Sequence, residues 1–148
     1  MKLPEIKISV KLTGTKKTHI DSIKNSADLY QVLKRMFSKD TVYWTEELIL
    51  ICLNNAAEVI GYYKVSKGGA SGTVCDPKII FTTALHCAGT TQIVISHNHP
   101  SGSLNPSQAD KILTRRIKEG GDILAIKLID HIIYTEDGFY SFSDEGEL

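Results

Sequence analysis

The chain has 148 residues, of which 42% are hydrophobic, so its length and composition suit one domain with a sizeable core. Seventeen Lys and Arg balance seventeen Asp and Glu, and the resulting zero net charge argues against strong nonspecific DNA binding, which usually needs a basic excess. The three cysteines, Cys52, Cys75 and Cys87, form no Cys-x-x-Cys pair, which indicates reduced thiols and a cytoplasmic setting. No apolar run approaches the ~18 residues of a membrane span, and the first residues lack a signal peptide's apolar segment.

The first 43 residues are predicted to form a strand and a helix that pack on the main domain. Ile6–Leu12 alternate between apolar residues and Lys or Ser, which predicts a half-buried edge strand. Residues 13–24 are polar and turn-like. Ser26–Phe37 carries apolar residues at helical spacing, with Ser26 as the predicted N-cap. We place the main domain at residues 44–148.

The next segment is predicted to contain a β-hairpin followed by a helix. Glu46–Leu53 is an apolar strand with two acidic residues at its start, Asn54–Ala57 a turn, and Val59–Val65 the return strand. Gly68–Gly72 indicates a flexible loop. A helix is then predicted over 76–89, because Asp at the N-cap and Pro at the first position are typical of a helix start.

The C-terminal third alternates strands and a helix. Gln92–Ser96 is a short apolar strand of the buried kind. A helix is predicted to start at Asn105–Pro106, where Asn105 and Gln108 have capping-box spacing, and to stop at Gly120–Gly121. The interspersed elements predict a mixed α/β sandwich, with a central sheet and helices on its faces. The remaining strands are predicted over Ile123–Leu128, His131–Thr135 and Phe139–Phe142.

Residues with metal-binding chemistry follow the strand that ends at Ser96. His97 and His99 are two residues apart, so at a strand end their imidazoles point to the same side. Ser107 and Asp110 are three apart and share one face of the following helix. Two histidines, one carboxylate and a water make an open tetrahedral zinc site. The spacing therefore predicts a zinc site in which Asp110 is the third protein ligand.

Hydrolysis at such a site also needs a general base. A bound zinc ion lowers the pKa of its water to about 7, and a carboxylate then takes the proton. Glu46 and Glu47 head an otherwise apolar strand and are the candidates, but strand alternation does not choose between them.

Other chemically interesting residues are expected to be structural or solvated. His131 is expected to be a hydrogen-bonded histidine near the sheet, with the orientation of a ligand as the alternative. Tyr43 and Trp44 are expected to pack in the core, with a wall of the site as the alternative. His19 is expected in a solvated polar loop, and Ser71 in a flexible linker, with contact to substrate as the alternative.

These residues resemble the JAMM signature of the JAB/MPN metalloprotease-like superfamily, Glu…His-x-His-x(7)-Ser-x-x-Asp. The chain has His97-x-His99, seven residues, and then Ser107-x-x-Asp110. More narrowly, residues 44–142 resemble the bacterial RadC-type JAB domain. The segments that carry this resemblance are Ser96–Gly102, Asn105–Asp110 and Leu128–Tyr134.

The resemblance implies a fold, a site and an activity. The fold is the three-layer, cytidine-deaminase-like sandwich of JAB/MPN domains. The family's glutamate lies eight residues before the polar residue that ends its strand, here Asn54, and this selects Glu46 as general base. The implied activity is zinc-dependent hydrolysis of a peptide or isopeptide bond by a metal-activated water. The implied zinc ligands are His97, His99 and Asp110, and Ser107 would hydrogen-bond the oxyanion.

Two alternatives remain. RadC-type proteins are associated by name with DNA repair, so the alternative function is a nucleic-acid accessory protein without demonstrated catalysis. Residues 1–43 are too short for the helix-hairpin-helix module that such proteins often carry. A nucleobase deaminase is disfavoured because its Cys-x-x-Cys ligands are missing. The expected partner is a peptide or protein substrate, with DNA as the alternative and no membrane; a homodimer is compatible with the sequence.

Overall fold

The computed structural model describes residues 3–14, 22–68 and 75–148. The predictions for His19 and Ser71 lie outside these residues. Within them, three helices and five strands are formed. In chain order they are α1 (Ser26–Leu33), β1 (Glu47–Leu53), β2 (Val59–Lys67), α2 (Pro77–His86), β3 (Gln92–Asn98), α3 (Gln108–Leu124), β4 (Lys127–Tyr134) and β5 (Phe139–Ser141).

The five strands form one mixed sheet in the order β2-β1-β3-β4-β5. Strands β3 and β4 are parallel and are joined through α3, whereas the other neighbours are antiparallel. Strand β1, which begins at the candidate glutamates, lies directly beside β3, which leads into the histidines, and Leu48 is the register partner of His97.

Helices cover both faces of the sheet, which confirms the predicted three-layer α/β sandwich. Helix α1 packs Leu29 and Leu33 on the face that presents Ile49 and Ile51. On the opposite face, α2 and α3 cover a second core. The side chains of this second core from the sheet and the two helices include Leu48, Leu50, Ile93, Ile95, Ile80, Ala84 and Ile117.

The predicted strand over Ile6–Leu12 is wrong. These residues have no strand pairing in the structure, and the side chains of Ile6 and Ile8 are 86% and 65% exposed. Alternation of apolar and polar residues is compatible with an extended segment, but a strand also needs a hydrogen-bonded partner.

Both helix caps that the sequence predicted for α1 and α3 are one or two residues off. Asn25, not Ser26, caps α1, with its Oδ1 accepting from the Asp28 amide at 2.9 Å. Ser107, not Asn105, is the N-cap of α3. The competing residues in each pair are all good caps, so composition alone does not choose between them.

Helix α3 runs through Gly120–Gly121 to Leu124, so the predicted helix stop and the strand start at Ile123 are wrong. A Cβ on Gly121 would lie 2.3 Å from the Ile126 carbonyl oxygen. This glycine therefore permits close helix–strand packing. The helix ends at Leu124 and is followed by its C-cap, Ala125, which adopts the left-handed conformation with φ 55°.

Strand β4 is a single strand with a bulge, where the sequence predicted two strands. Leu128 pairs with Ile93, but the next residue of β3, Val94, pairs with Asp130. The extra residue reverses which face of the sheet the following side chains occupy, as bulges do. Leu128 packs in the core under α3, and Ile132 in the core under α1, although both have even numbers.

All three cysteines lie in the second core. Cys52, Cys75 and Cys87 are free thiols, in agreement with the predicted reduced state, and all three are buried. Among the described residues, α3 and the shorter helices all lack the length and apolar composition needed to traverse a bilayer.

Candidate metal centre

The end of β3 brings two imidazoles together. His97 is 2% exposed and occupies the register position beside Leu48, and His99 follows two residues later. Their Nε2 atoms lie 2.9 Å apart. Two ring nitrogens this close together at the end of β3 can serve as two ligands of one cation.

The first turn of α3 supplies the carboxylate. Ser107 and Asp110 form a capping box in which Ser107 Oγ accepts from the Asp110 amide, and Asp110 Oδ2 accepts from the Ser107 amide. This cap fixes the Asp110 side chain so that its Oδ1 lies 3.2 Å from His97 Nε2 and its Oδ2 lies 3.6 Å from His99 Nε2.

The donor set fits a divalent metal ion. Donor atoms of His97, His99 and Asp110 all lie within 4.8 Å of one another. Two imidazole nitrogens and one carboxylate oxygen leave a fourth tetrahedral position open, as catalytic zinc sites do. The arrangement can therefore hold a metal ion together with a water or a substrate oxygen.

Hydrogen bonds set the ring orientation of His99. Its Nδ1 lies 2.8 Å from the Ser103 carbonyl oxygen, which can only accept, so Nδ1 carries the hydrogen. Nε2 is thereby left to face Asp110. The hydrogen bond to Asp110 raises the pKa of His99. Burial works to raise the pKa of Asp110, but the adjacent imidazoles of His97 and His99 outweigh burial and hold that pKa well below its usual range.

Of the two candidate glutamates, Glu47 forms ion pairs within the sheet. Its carboxylate is 2% exposed and lies 3.1 Å from both Lys64 Nζ and Lys67 Nζ on the neighbouring strand β2. Burial works to raise the pKa of Glu47, but its close pairing with Lys67 and Lys64 outweighs burial and lowers that pKa. Glu47 shares its face with Ile49, away from His97.

Glu46 is the residue immediately before β1. If the strand alternation is extended by one residue, Glu46 shares the face of Leu48, which packs in the core under α3. Its negative charge contributes to the raised pKa of His99. Glu46 is therefore close enough to His99 to act on it through its charge, whereas Glu47 pairs with lysines.

Asn98, between the two histidines, is a site residue that sequence reasoning missed. Its fully buried amide donates to the carbonyls of Val42 and Thr45 at 2.7 and 2.9 Å and accepts from the Glu47 amide at 2.8 Å. The segment that carries Glu46 is thus tied to the strand that carries the histidines. No local pattern signals this, because the three partners are 51 to 56 residues away in sequence.

His131 is buried and hydrogen-bonded, as predicted, and its partner is His97. His131 Nε2 lies 2.9 Å from His97 Nδ1, and His131 Nδ1 lies 2.6 Å from the hydroxyl of Thr114 on α3. The ring of His131 stacks on the ring of Phe142, with the two ring centroids 4.7 Å apart. Complete burial holds the pKa of His131 well below its ordinary value. Thr114 was not singled out from the sequence.

The core packing expected for Tyr43 and Trp44 is wrong. Their side chains are 53% and 85% exposed. They belong to the turn before Glu46, which lies outside the sheet.

Comparison with known proteins agrees with this geometry. A family model described as the RadC-like JAB domain matches residues 23–147. Similar proteins include UPF0758 proteins from Flavobacterium johnsoniae, 50% identical over 68% of this chain and 44% of the relative, and from Thermotoga maritima, 34% identical over 86% and 55%. Another, from Clostridium botulinum, is 44% identical over 68% of this chain and 44% of its own length.

The chain spans about half the length of these relatives. The match to the family model, by contrast, extends from before α1 to the residue before the C-terminus and covers every helix and strand described above. The chain therefore belongs to the family of RadC-like JAB domains.

Proposed function

We propose that this chain is a zinc-dependent hydrolase of the JAMM type that cleaves a peptide or isopeptide bond. The observation that supports it most is the convergence of donor atoms from His97, His99 and Asp110 within 4.8 Å. Hydrolysis also needs a general base. Glu46, which precedes the adjacent strand β1 and acts on His99 through its charge, is the candidate.

A zinc ion at these donors would supply Lewis acidity, lowering the pKa of a coordinated water and polarising the substrate carbonyl. The ligand set of two histidines and one aspartate favours zinc, because such a set keeps one position open.

Glu46 is the proposed general base. It accepts the proton of the attacking water as the water oxygen bonds to the carbonyl carbon, and it delivers a proton to the leaving nitrogen as the C–N bond breaks. Ser107 is the proposed hydrogen-bond donor to the oxyanion. Its hydroxyl donates to Asp110 Oδ2 at 2.7 Å, so this role requires the hydroxyl to rotate toward substrate.

The test combines metal analysis with cleavage of a peptide library. We expect one zinc per chain in wild type, loss of zinc in Asp110→Ala, and retained zinc with hydrolysis reduced by at least about 100-fold in Glu46→Gln, as for loss of a general base. Glu47→Gln is the matched control, because Glu47 is the adjacent acid on the opposite face and is paired with lysines.

Two results would count against the proposal. Wild type that binds no zinc, even when zinc is added, would remove the metal centre. Zinc-loaded wild type and Glu46→Gln with equal cleavage rates would remove the assigned base.

A further inference from the structure

We infer that His131 and Thr114 form a positioning relay for the metal centre, in which His131 fixes the ring of His97 and Thr114 links that ring to the helix carrying Asp110. The inference rests on the proposed metal site and names residues outside the His-x-His and Ser-x-x-Asp positions. Neither residue offers an atom to the ion; both act through the ligands.

The direction of each hydrogen bond follows from the groups present. The Thr114 hydroxyl lies 2.7 Å from the Asp110 carbonyl oxygen, which can only accept, so the hydroxyl hydrogen is donated there. The Thr114 oxygen must then accept from His131 Nδ1–H at 2.6 Å. A neutral His131 consequently presents its bare Nε2 to His97.

The hydrogen bond between His131 and His97 sets the tautomer of His97. With an acceptor at 2.9 Å, His97 Nδ1 carries the hydrogen, and Nε2 keeps the lone pair that faces His99 and Asp110. Metal-binding histidines generally use such a second bond to fix ring orientation and raise ligand basicity. The backbone carbonyl of Ser103 does the same for His99. Both imidazoles are therefore held with Nε2 toward the candidate site.

The backbone is shaped to aim His131 at this position. The bulge in β4 puts His131 on the face toward α3, opposite Ile95, whereas an unbroken alternation from Leu128 would turn it to the other face. Asp130 stabilises the bulge, since its buried carboxylate accepts from the His131 amide at 2.7 Å and from the Ser141 hydroxyl at 2.6 Å.

The relay joins ligands from two different elements. His97 belongs to β3 and Asp110 to α3. The bonds through His131 and Thr114 connect them on the Nδ1 side of the His97 ring, whereas its Nε2 faces Asp110. All three of His97, His131 and Thr114 are at most 2% exposed, so water does not substitute for a missing partner without a rearrangement.

The experiment measures zinc dissociation constants by competition with a chromophoric chelator, using zinc ion alone as the probe. Gln at position 131 offers an oxygen near the place of Nε2, whereas Phe preserves the stacking area but offers no acceptor. We expect His131→Gln to bind zinc nearly as wild type does, and His131→Phe to bind about 10- to 100-fold more weakly. Thr114→Ser should retain affinity, and Thr114→Val should lose part of it.

Controls separate positioning from folding. Each variant is melted without metal, so that affinities are compared only among proteins that are folded at the assay temperature. The cobalt absorption spectrum of each variant reports the ligand geometry, which a purely structural role would leave unchanged. His86→Phe serves as the matched control, because His86 is an exposed histidine on α2 outside the site.

The outcomes distinguish the relay from the proposed function. A folded His131→Phe with wild-type zinc affinity and cobalt spectrum overturns the relay alone. Wild type without zinc affinity overturns both. The expected affinity pattern in a zinc-loaded protein that cleaves no peptide supports the relay and counts against the hydrolase.

Discussion

At the scale of single residues, Asn98 does more than separate two ligands. Its side-chain amide donates two hydrogen bonds to backbone carbonyls and accepts one from a backbone amide, all in the segment around the start of β1. These three bonds are buried or partly buried. Buried polar groups left without a partner cost about 1–3 kcal/mol each. The single side chain between the histidines therefore also determines where the proposed base lies.

Replacing this residue should destabilise the fold measurably. We expect Asn98→Ala to lower the free energy of unfolding by about 2–4 kcal/mol, because two carbonyls and one amide lose their partner. Urea unfolding in the presence of a chelator measures this without a contribution from metal. Asn105→Ala is the control and should change little, since α3 is capped by Ser107 and Asn105 is exposed. Equal effects of the two substitutions would contradict the assignment.

The sequence predicts the relative positions of site residues when they are close together in the chain, but not when they lie on separate elements. The relation of His97 to His99 follows from strand alternation, and that of Ser107 to Asp110 from helix geometry. The contacts of Asn98 and Thr114 depend on where separate elements meet, which no periodicity records. Even the choice of Glu46 over Glu47 needed the family resemblance, because both glutamates fit the local pattern equally.

At the scale of elements, the close approach of α3 to β4 explains why the helix does not stop at its glycines. A Cβ at Gly121 would meet backbone, the Ile126 carbonyl oxygen, at 2.3 Å. A Cβ at Gly120 would meet the ring of Phe81 at 2.6 Å, and a side chain can move. The two neighbouring glycines thus differ in what surrounds them.

This difference gives a matched pair of substitutions. Gly121→Ala should destabilise the protein by about 1–3 kcal/mol, as overpacking does, despite the roughly 1 kcal/mol that alanine gains over glycine inside a helix. Gly120→Ala should cost clearly less, because Phe81 can shift and the same helix gain applies. Urea unfolding of both variants measures the difference. A more stable Gly121→Ala would show that α3 and β4 lie farther apart than described.

Element boundaries were the weakest sequence predictions for a related reason. Glycine inside α3 resembles a helix stop, although its use is contact with β4. The apolar alternation of Ile6–Leu12 resembles a strand, although no strand pairs with it among the described residues. In contrast, the long apolar segments that became β1, β3 and α2 were placed nearly correctly, since their burial leaves little choice of structure.

At the scale of the whole molecule, acid should weaken the fold through Glu47. Its pKa in the folded protein lies below the ordinary 4.5, since Lys64 and Lys67 outweigh burial. A lowered folded pKa means that the ion pairs contribute stability above pH 4.5 and lose it as the pH falls through the folded value.

The substitution Glu47→Gln isolates this contribution. It should be less stable than wild type at neutral pH. The difference should shrink as the pH falls from 4.5 through the lowered folded pKa, below which the wild-type carboxylate is neutral in both the folded and the unfolded state. Urea unfolding of both proteins across this pH range, with chelator present, measures it. A difference that stays constant with pH would show that Gln acts through packing alone.

The register of β1 against β3 also has a consequence for the order in which the site is assembled. The proposed ligands His97, His99 and Asp110 are close neighbours in the chain, so the entropy lost in closing the loop between them is small. Glu46, the proposed base, can reach them only after β1 has paired with β3 across some fifty residues. Long-range pairings of this kind are the slow part of folding. We therefore expect the three proposed metal ligands to come together early in folding. The proposed hydrolytic site is complete only when the two central strands β1 and β3 have paired.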